Sequence, residues 1–232
     1  MNEKINRYGG PDHWYNPKFF EALHRKPVQY LSEFLKGGER ILDIGAGDGK
    51  LTYLINQLNH WVVGLESQWL PIRFAKLMYE VRNVSQIPFV QGDAISIPFK
   101  KCSFEVITLF DVIEHVPPEM LFTLLNEMKR VLKVHGKLIL TTPNRRALRN
   151  RIWGHRTNPK HYKEYDVTEL KRLLVANEFG IEALRGIFLP VPIPKIEHYG
   201  GIFPMRRLFS FFINLGESYP SLSETIFLVA RR

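Results

Sequence analysis

Three side chains able to act as ligands or as acid–base groups share the segment FDVIEHV: Asp111, Glu114 and His115. Their spacing is i, i+3 and i+4, so a single helical turn would set all three on one side. Two carboxylates and an imidazole on one face can hold a divalent cation, and such a mixed set admits magnesium, manganese or zinc. A further ligand can come from GHRTNPKHYKEYD, where His155 and His161 are the candidates. A second chemistry needs no metal. One imidazole takes a proton as general base, with His115 placed ahead of His161. His13, His24 and His60 fit surface or packing roles.

The other chemical signal is ILDIGAGDG, with glycines at 45, 47 and 49. A glycine-rich turn lets the backbone bend sharply and come close to a ligand. A dinucleotide would rest its pyrophosphate on such a turn. Here Asp43 precedes the turn and Asp48 lies inside it, and two carboxylates repel a pyrophosphate. They suit a ligand carrying a sulfonium and an ammonium, held along Gly45, Ala46 and Gly47. About twenty residues on, Glu66 closes the next apolar run with Ser67 beside it, and an acid there can accept from both ribose hydroxyls. Asp93, in VQGDAISIPF, can accept from an adenine amino group, with Ala94 and Ile95 flanking the ring. Phe110 ends a further apolar run, where its carbonyl can meet an ammonium.

These residues converge only if each stands at the carboxyl end of a strand in an open α/β sheet. The chain supports that arrangement, because apolar runs of strand length alternate with helical patterns. Strands are expected at 40–44, 61–65, 88–91, 104–110, 137–142, 181–188 and 225–230. Helices are expected at 17–35, 50–58, 70–82, 118–132, from a cap at Asp166 or Thr168 to 178, and at 205–215. One domain of 1–232 results, with an N-terminal helical cap (1–39), a ligand-binding core (40–188), an insertion or lid (189–224) and a last strand (225–232). The insertion is too long for a hairpin loop. It holds Pro190, Pro192, Pro194 and Pro204, and a greasy run around Phe209, Phe211 and Phe212 beside Arg206 and Arg207. Three readings of it stand together: a helix packed on the sheet or a dimer contact, a lid over a lipophilic acceptor, or a membrane-surface element.

The motifs ILDIGAGDGKL, VVGLES, VQGDAISIPF, FDVIEHV and VLKVHGKLILTTPN resemble, in order and spacing, those of class I S-adenosylmethionine-dependent methyltransferases. The resemblance runs from about residue 40 to 186. It implies a doubly wound Rossmann-like sheet of seven strands in the order 3-2-1-4-5-7-6, the last antiparallel. It also implies that Asp43, Gly45, Gly47, Glu66 and Asp93 bind the cofactor. His135 stands where the family usually has Pro before Gly. The segment around Glu114 and His115 resembles the ubiquinone-biosynthesis O-methyltransferases and the small-RNA 3′-terminal 2′-O-methyltransferases. That likeness implies a metal held by Asp111, Glu114, His115 and His161, which binds two neighbouring hydroxyls of the acceptor and lowers the pKa of one. Asp111 replaces the usual Glu and is one methylene shorter.

Charge bears on the partner. The chain carries a formal +9, which favours anionic partners. Much of it crowds between Arg145 and Lys163, where a contact surface and a solvated loop are both in keeping with the pattern. The leading expectation is transfer of a methyl to a hydroxyl of a small, lipophilic or lipid-linked acceptor, at or near an anionic membrane surface. An RNA acceptor is the alternative, and a non-catalytic cofactor-binding partner subunit is the third reading. Cys102 is the only cysteine, and the opening stretch has no apolar signal core, so a cytoplasmic chain is expected.

Overall fold

The computed structural model of the chain describes residues 20–84, 87–189 and 205–232. The turn-rich opening of the expected cap and the four insertion prolines lie outside those residues. Seven strands form one sheet: β1 (Arg40–Ile44), β2 (Trp61–Glu66), β3 (Phe89–Gln91), β4 (Phe104–Phe110), β5 (Leu132–Pro143), β6 (Gly180–Ile187) and β7 (Thr225–Arg231). Their order is β3-β2-β1-β4-β5-β7-β6, as expected. β7 runs antiparallel to both neighbours, and the other pairs are parallel.

Alternation along the central strands fills both faces of the sheet. Leu42 and Ile44 of β1 and Ile107 and Leu109 of β4 point to one face. There α4 (Leu121–Val131) lays down Leu124, Leu125 and Met128, and α6 (Val167–Ala176) lays down Leu170 and Leu174. Ile41, Val106 and Phe110 point to the other. That face is covered by α1 (Phe20–Ser32), α2 (Lys50–Asn56) and α3 (Trp69–Val81) through Leu31, Ile55 and Met78. A short α5 (Leu148–Trp153) follows β5, and α7 (Met205–Ser218) precedes β7. Asp166 caps α6 with a full capping box, its carboxylate accepting from the Thr168 and Glu169 amides.

Several boundaries differ from the sequence expectation. β5 begins at Leu132, five residues before the expected start, because Leu132 already pairs with Phe104 and residues 133–136 bulge before pairing resumes at Val106 and Lys137. His135 takes the left-handed backbone of that bulge, at φ 63°. β6 stops at Ile187, since Phe188 turns to φ 60° and leaves the ladder. The helical stretch after Pro117 begins with a separate 3₁₀ turn, Pro118–Met120. α5 had no counterpart among the expected helices. Among the described residues, no helix is long and apolar enough to cross a membrane.

Candidate active site

The carboxyl ends of β1, β2 and β4 and the loop after β3 surround a cleft of about 960 Å³. Its floor is the glycine turn after β1. Gly45, Gly47 and Gly49 all have positive φ, at 71°, 52° and 76°. Gly45 is also sterically required, because a Cβ there would lie 2.4 Å from Val112 Cγ2. The Gly45 and Ala46 amides both donate to the Leu65 carbonyl, tying the turn to β2.

Glu66 reaches across to the same turn. Its Oε2 accepts from the Gly47 amide at 3.0 Å and its Oε1 from the Gln68 amide at 2.9 Å. Gly45, Glu66, Ser67, Asp93 and Ala94 line the cleft. The Asp93 carboxylate accepts from the Ile95 amide at 3.0 Å, which fixes the turn that carries Ala94 and Ile95 along the wall. The lining leaves out four other expected cofactor residues. Ala46 is buried, the Gly47 amide donates to Glu66, and the Phe110 side chain packs on the α1–α3 side of the sheet, while its expected role belongs to its carbonyl at the end of β4.

Asp43 is the fourth. It is buried under the turn and accepts from Thr52 Oγ1 at 2.6 Å and Thr108 Oγ1 at 2.7 Å. Each oxygen therefore accepts from a threonine hydroxyl, and Asp43 braces β1, α2 and β4 beneath the glycine turn. Burial pushes its carboxyl up from 3.8 to about 6, against the pull of the two hydroxyls. A folded-state pKa above the unfolded one means stability is fullest below pH 3.8 and is lost as pH rises through about 6. The difference amounts to about 3 kcal/mol at neutral pH. Asp43→Asn is expected to flatten the fall in unfolding midpoint between pH 4 and 6.5. An unchanged slope in thermal melts of that variant would contradict the assignment.

The second cluster opens from the same cleft. Asp111 has left-handed backbone, φ 53°, and its amide donates to the Thr141 carbonyl of β5. The helical turn starts only at Ile113 and is a 3₁₀ turn, Ile113–His115. Asp111 thus stands outside it, and the expected single face for all three residues does not form. Glu114, His115 and His161 do come together, with one ligand atom from each lying within 4.8 Å of the others. Asp111 is not in that trio; its carboxylate accepts from Thr141 Oγ1 at 3.0 Å.

His161 arrives because the segment after α5 docks on the turn. The Tyr162 amide donates to the Glu114 carbonyl at 2.8 Å, and the His115 and His161 rings meet edge to face at 4.7 Å. His115 Nδ1 bonds the Lys160 carbonyl at 3.0 Å, so Nδ1 donates and Nε2 is the acceptor nitrogen of the neutral ring. His161 Nδ1 bonds Glu164 Oε1 at 2.7 Å, which orients that ring in the same sense. His155, the other expected candidate, pairs with Glu164 Oε2 at 3.3 Å and stands outside the trio. Glu114 is fully buried. Its Oε2 accepts from Thr142 Oγ1, and its Oε1 has no hydrogen-bond partner among the described residues. Burial, and then the neighbouring Asp111 charge, raise its pKa above the carboxylate range.

This donor set fits a divalent cation. One orphaned carboxylate oxygen and two imidazoles anchored through Nδ1 are the features that such an ion satisfies. The cleft in turn fits a sulfonium and an ammonium, since Glu66, Asp93 and Asp111 make its wall acidic. Sequence reasoning gave no site role to four further lining residues, Val116, Pro117, Met120 and Leu124, and their place soon after β4 is the signal that could have marked them.

A family model described as "Methyltransferase domain" matches residues 15–184. A probable S-adenosylmethionine-dependent methyltransferase of Mycolicibacterium smegmatis is 28% identical over 167 residues, covering 71% of this chain and 61% of the relative. A ubiquinone biosynthesis O-methyltransferase of Haemophilus ducreyi is 28% identical over 140 residues, covering 58% and 56%. The chain thus spans less than two thirds of the length of these curated relatives. In three dimensions, a SAM-dependent methyltransferase from Archaeoglobus fulgidus aligns with a TM-score of 0.64 at 20% identity, covering 94% of this chain and 98% of that one. At that identity the likeness concerns the fold.

Proposed function

The chain belongs to the methyltransferase-domain family, and on that premise we propose that it transfers the methyl group of S-adenosylmethionine to a hydroxyl of a small, lipophilic or lipid-linked acceptor. The observation that carries the hydroxyl reading is the trio of Glu114, His115 and His161, with His115 in the cleft wall. When bound, S-adenosylmethionine supplies an electrophilic methyl on sulfur, and a magnesium, manganese or zinc ion held by the trio supplies Lewis acidity that acidifies the hydroxyl. Glu66 accepts from ribose hydroxyls, and Asp93 with Ala94 and Ile95 frames the adenine. The Gly45 turn lets the backbone come close to the ligand. Without a metal, His115 Nε2 would instead serve as the general base that takes the proton of the hydroxyl. Val116, Pro117, Met120 and Leu124 exclude water from the acceptor's body.

Lipid linkage draws support from exposed apolar residues in the segment that also carries Lys160 and His161. Ile152, Trp153 and Tyr162 are exposed at 51%, 53% and 65%, and Arg151 and Arg156 flank them. Apolar side chains among cations suit an anionic bilayer. An RNA acceptor draws less support. Arg145 pairs with Asp166 and Glu169, Arg146 with Asp166, Arg149 with Glu224 and Lys163 with Glu169, so much of the basic run is neutralised locally.

The test is a transfer assay with methyl-labelled cofactor against lipid, small-metabolite and RNA fractions, with and without chelator. Label is expected in the lipid or metabolite fraction and is lost on chelation while cofactor binding persists. Label in RNA alone overturns the acceptor class, and no label in any fraction favours the partner-subunit reading.

A further inference from the structure

The cleft wall is unequally charged. Glu66, Asp93 and Asp111 are acidic, and besides His115 only Lys160 among the described residues can bring positive charge. The three carboxylates match a cationic cofactor. Lys160 has no counterpart in that half of the cleft. Its neighbours on the acceptor side, Val116, Pro117, Met120 and Leu124, are apolar.

Lys160 is held in place from both sides of its own backbone. Its amide donates to Asn158 Oδ1 at 3.1 Å, and its carbonyl accepts from His115 Nδ1 at 3.0 Å. The His161 amide donates to the Asn158 carbonyl at 2.9 Å, and the Asn158 amide donates to Glu164 Oε1 at 3.2 Å, which closes the turn. The ammonium therefore starts from a fixed point next to His115. Among the described residues it forms no ion pair, whereas Arg145, Arg146, Arg149 and Lys163 in the same basic run all do. Lys160 is exposed, so its unpaired ammonium is open to an anion at the cleft mouth and its attraction is screened by salt.

Resting on the hydroxyl-acceptor reading above, we infer that the acceptor carries an anionic group, a carboxylate or a phosphate, beside its apolar body, and that Lys160 selects it. The pair sits at the mouth of the cleft, where charge-assisted bonding is directional but still sensitive to salt.

The probes are 3,4-dihydroxybenzoate and its neutral isostere 3,4-dihydroxybenzamide. Calorimetry measures each against full-length protein saturated with the demethylated cofactor product, and kcat/KM is measured for both. At low salt the benzoate is expected to bind about tenfold more tightly, a preference that shrinks as salt is added. The ratio should fall to about one in Lys160→Ala, persist in Lys160→Arg and reverse in Lys160→Glu. A third probe with a phosphonate in place of the carboxylate tells which anion fits better. Equal affinity in the unsubstituted protein, no binding of the benzoate, or a preference that survives Lys160→Glu overturns the inference. Tight, Lys160-dependent binding of the benzoate with no methylation of either probe would instead overturn the hydroxyl-transfer reading and leave the anion site standing.

Discussion

Glu66→Ala is expected to weaken S-adenosylmethionine binding by about 10²–10⁴-fold, since each hydrogen bond to a charged group contributes roughly 1.5–3 kcal/mol and a ribose offers two hydroxyls. Part of the loss has an internal origin. The same carboxylate accepts from the Gly47 and Gln68 amides, so its removal also frees the glycine turn. Glu66→Gln separates the two contributions. It keeps an acceptor oxygen for the turn but loses the charge, and its affinity should fall between those of the parent protein and the alanine variant. Calorimetry at fixed salt reads all three. An unchanged affinity in Glu66→Ala would remove Glu66 from the ribose site, and tight binding of a nicotinamide dinucleotide would remove the cofactor reading itself.

The parts of this architecture that rest on periodicity could be read without coordinates. β4 is a nearly unbroken apolar run, and such a run belongs at the centre of a parallel sheet. The glycine turn was legible for the same local reason: three glycines between a strand and a helix leave few other backbone solutions. What was not legible depends on contacts distant in sequence. Asp111 is turned left-handed where its amide meets the Thr141 carbonyl, 30 residues away, and no local pattern in FDVIEHV announces that. The bulge at residues 133–136 is likewise set by pairing with β4. Asp43 is expected at the cofactor site from its type and place, and its burial against the Thr52 and Thr108 hydroxyls depends on residues that its own motif does not contain.

The Glu114, His115 and His161 trio shows both sides of this limit. Its composition was legible, and its closure was not, since His161 reaches the turn through a backbone bond from Tyr162 to Glu114. Two consequences separate a metal centre from a lone base. In a metal centre, Glu114→Gln, His115→Ala and His161→Ala should each lower turnover by about 10²–10⁴-fold. Excess cation should partly restore His161→Ala, because a site that lost one of its ligands still binds at higher concentration. With a lone base, only His115→Ala should produce that loss, and chelator should leave the parent protein fully active. Stability tells whether either result reflects misfolding. Glu114 is buried with Oε1 unpartnered and its pKa pushed up to about 8, so in chelator Glu114→Gln replaces one neutral buried group by another of similar shape and should melt no lower than the parent protein. A Glu114→Gln protein that is inactive, melts at or above the parent midpoint and no longer gains stability from added cation would place that carboxylate in the metal centre. One that keeps full turnover would remove it.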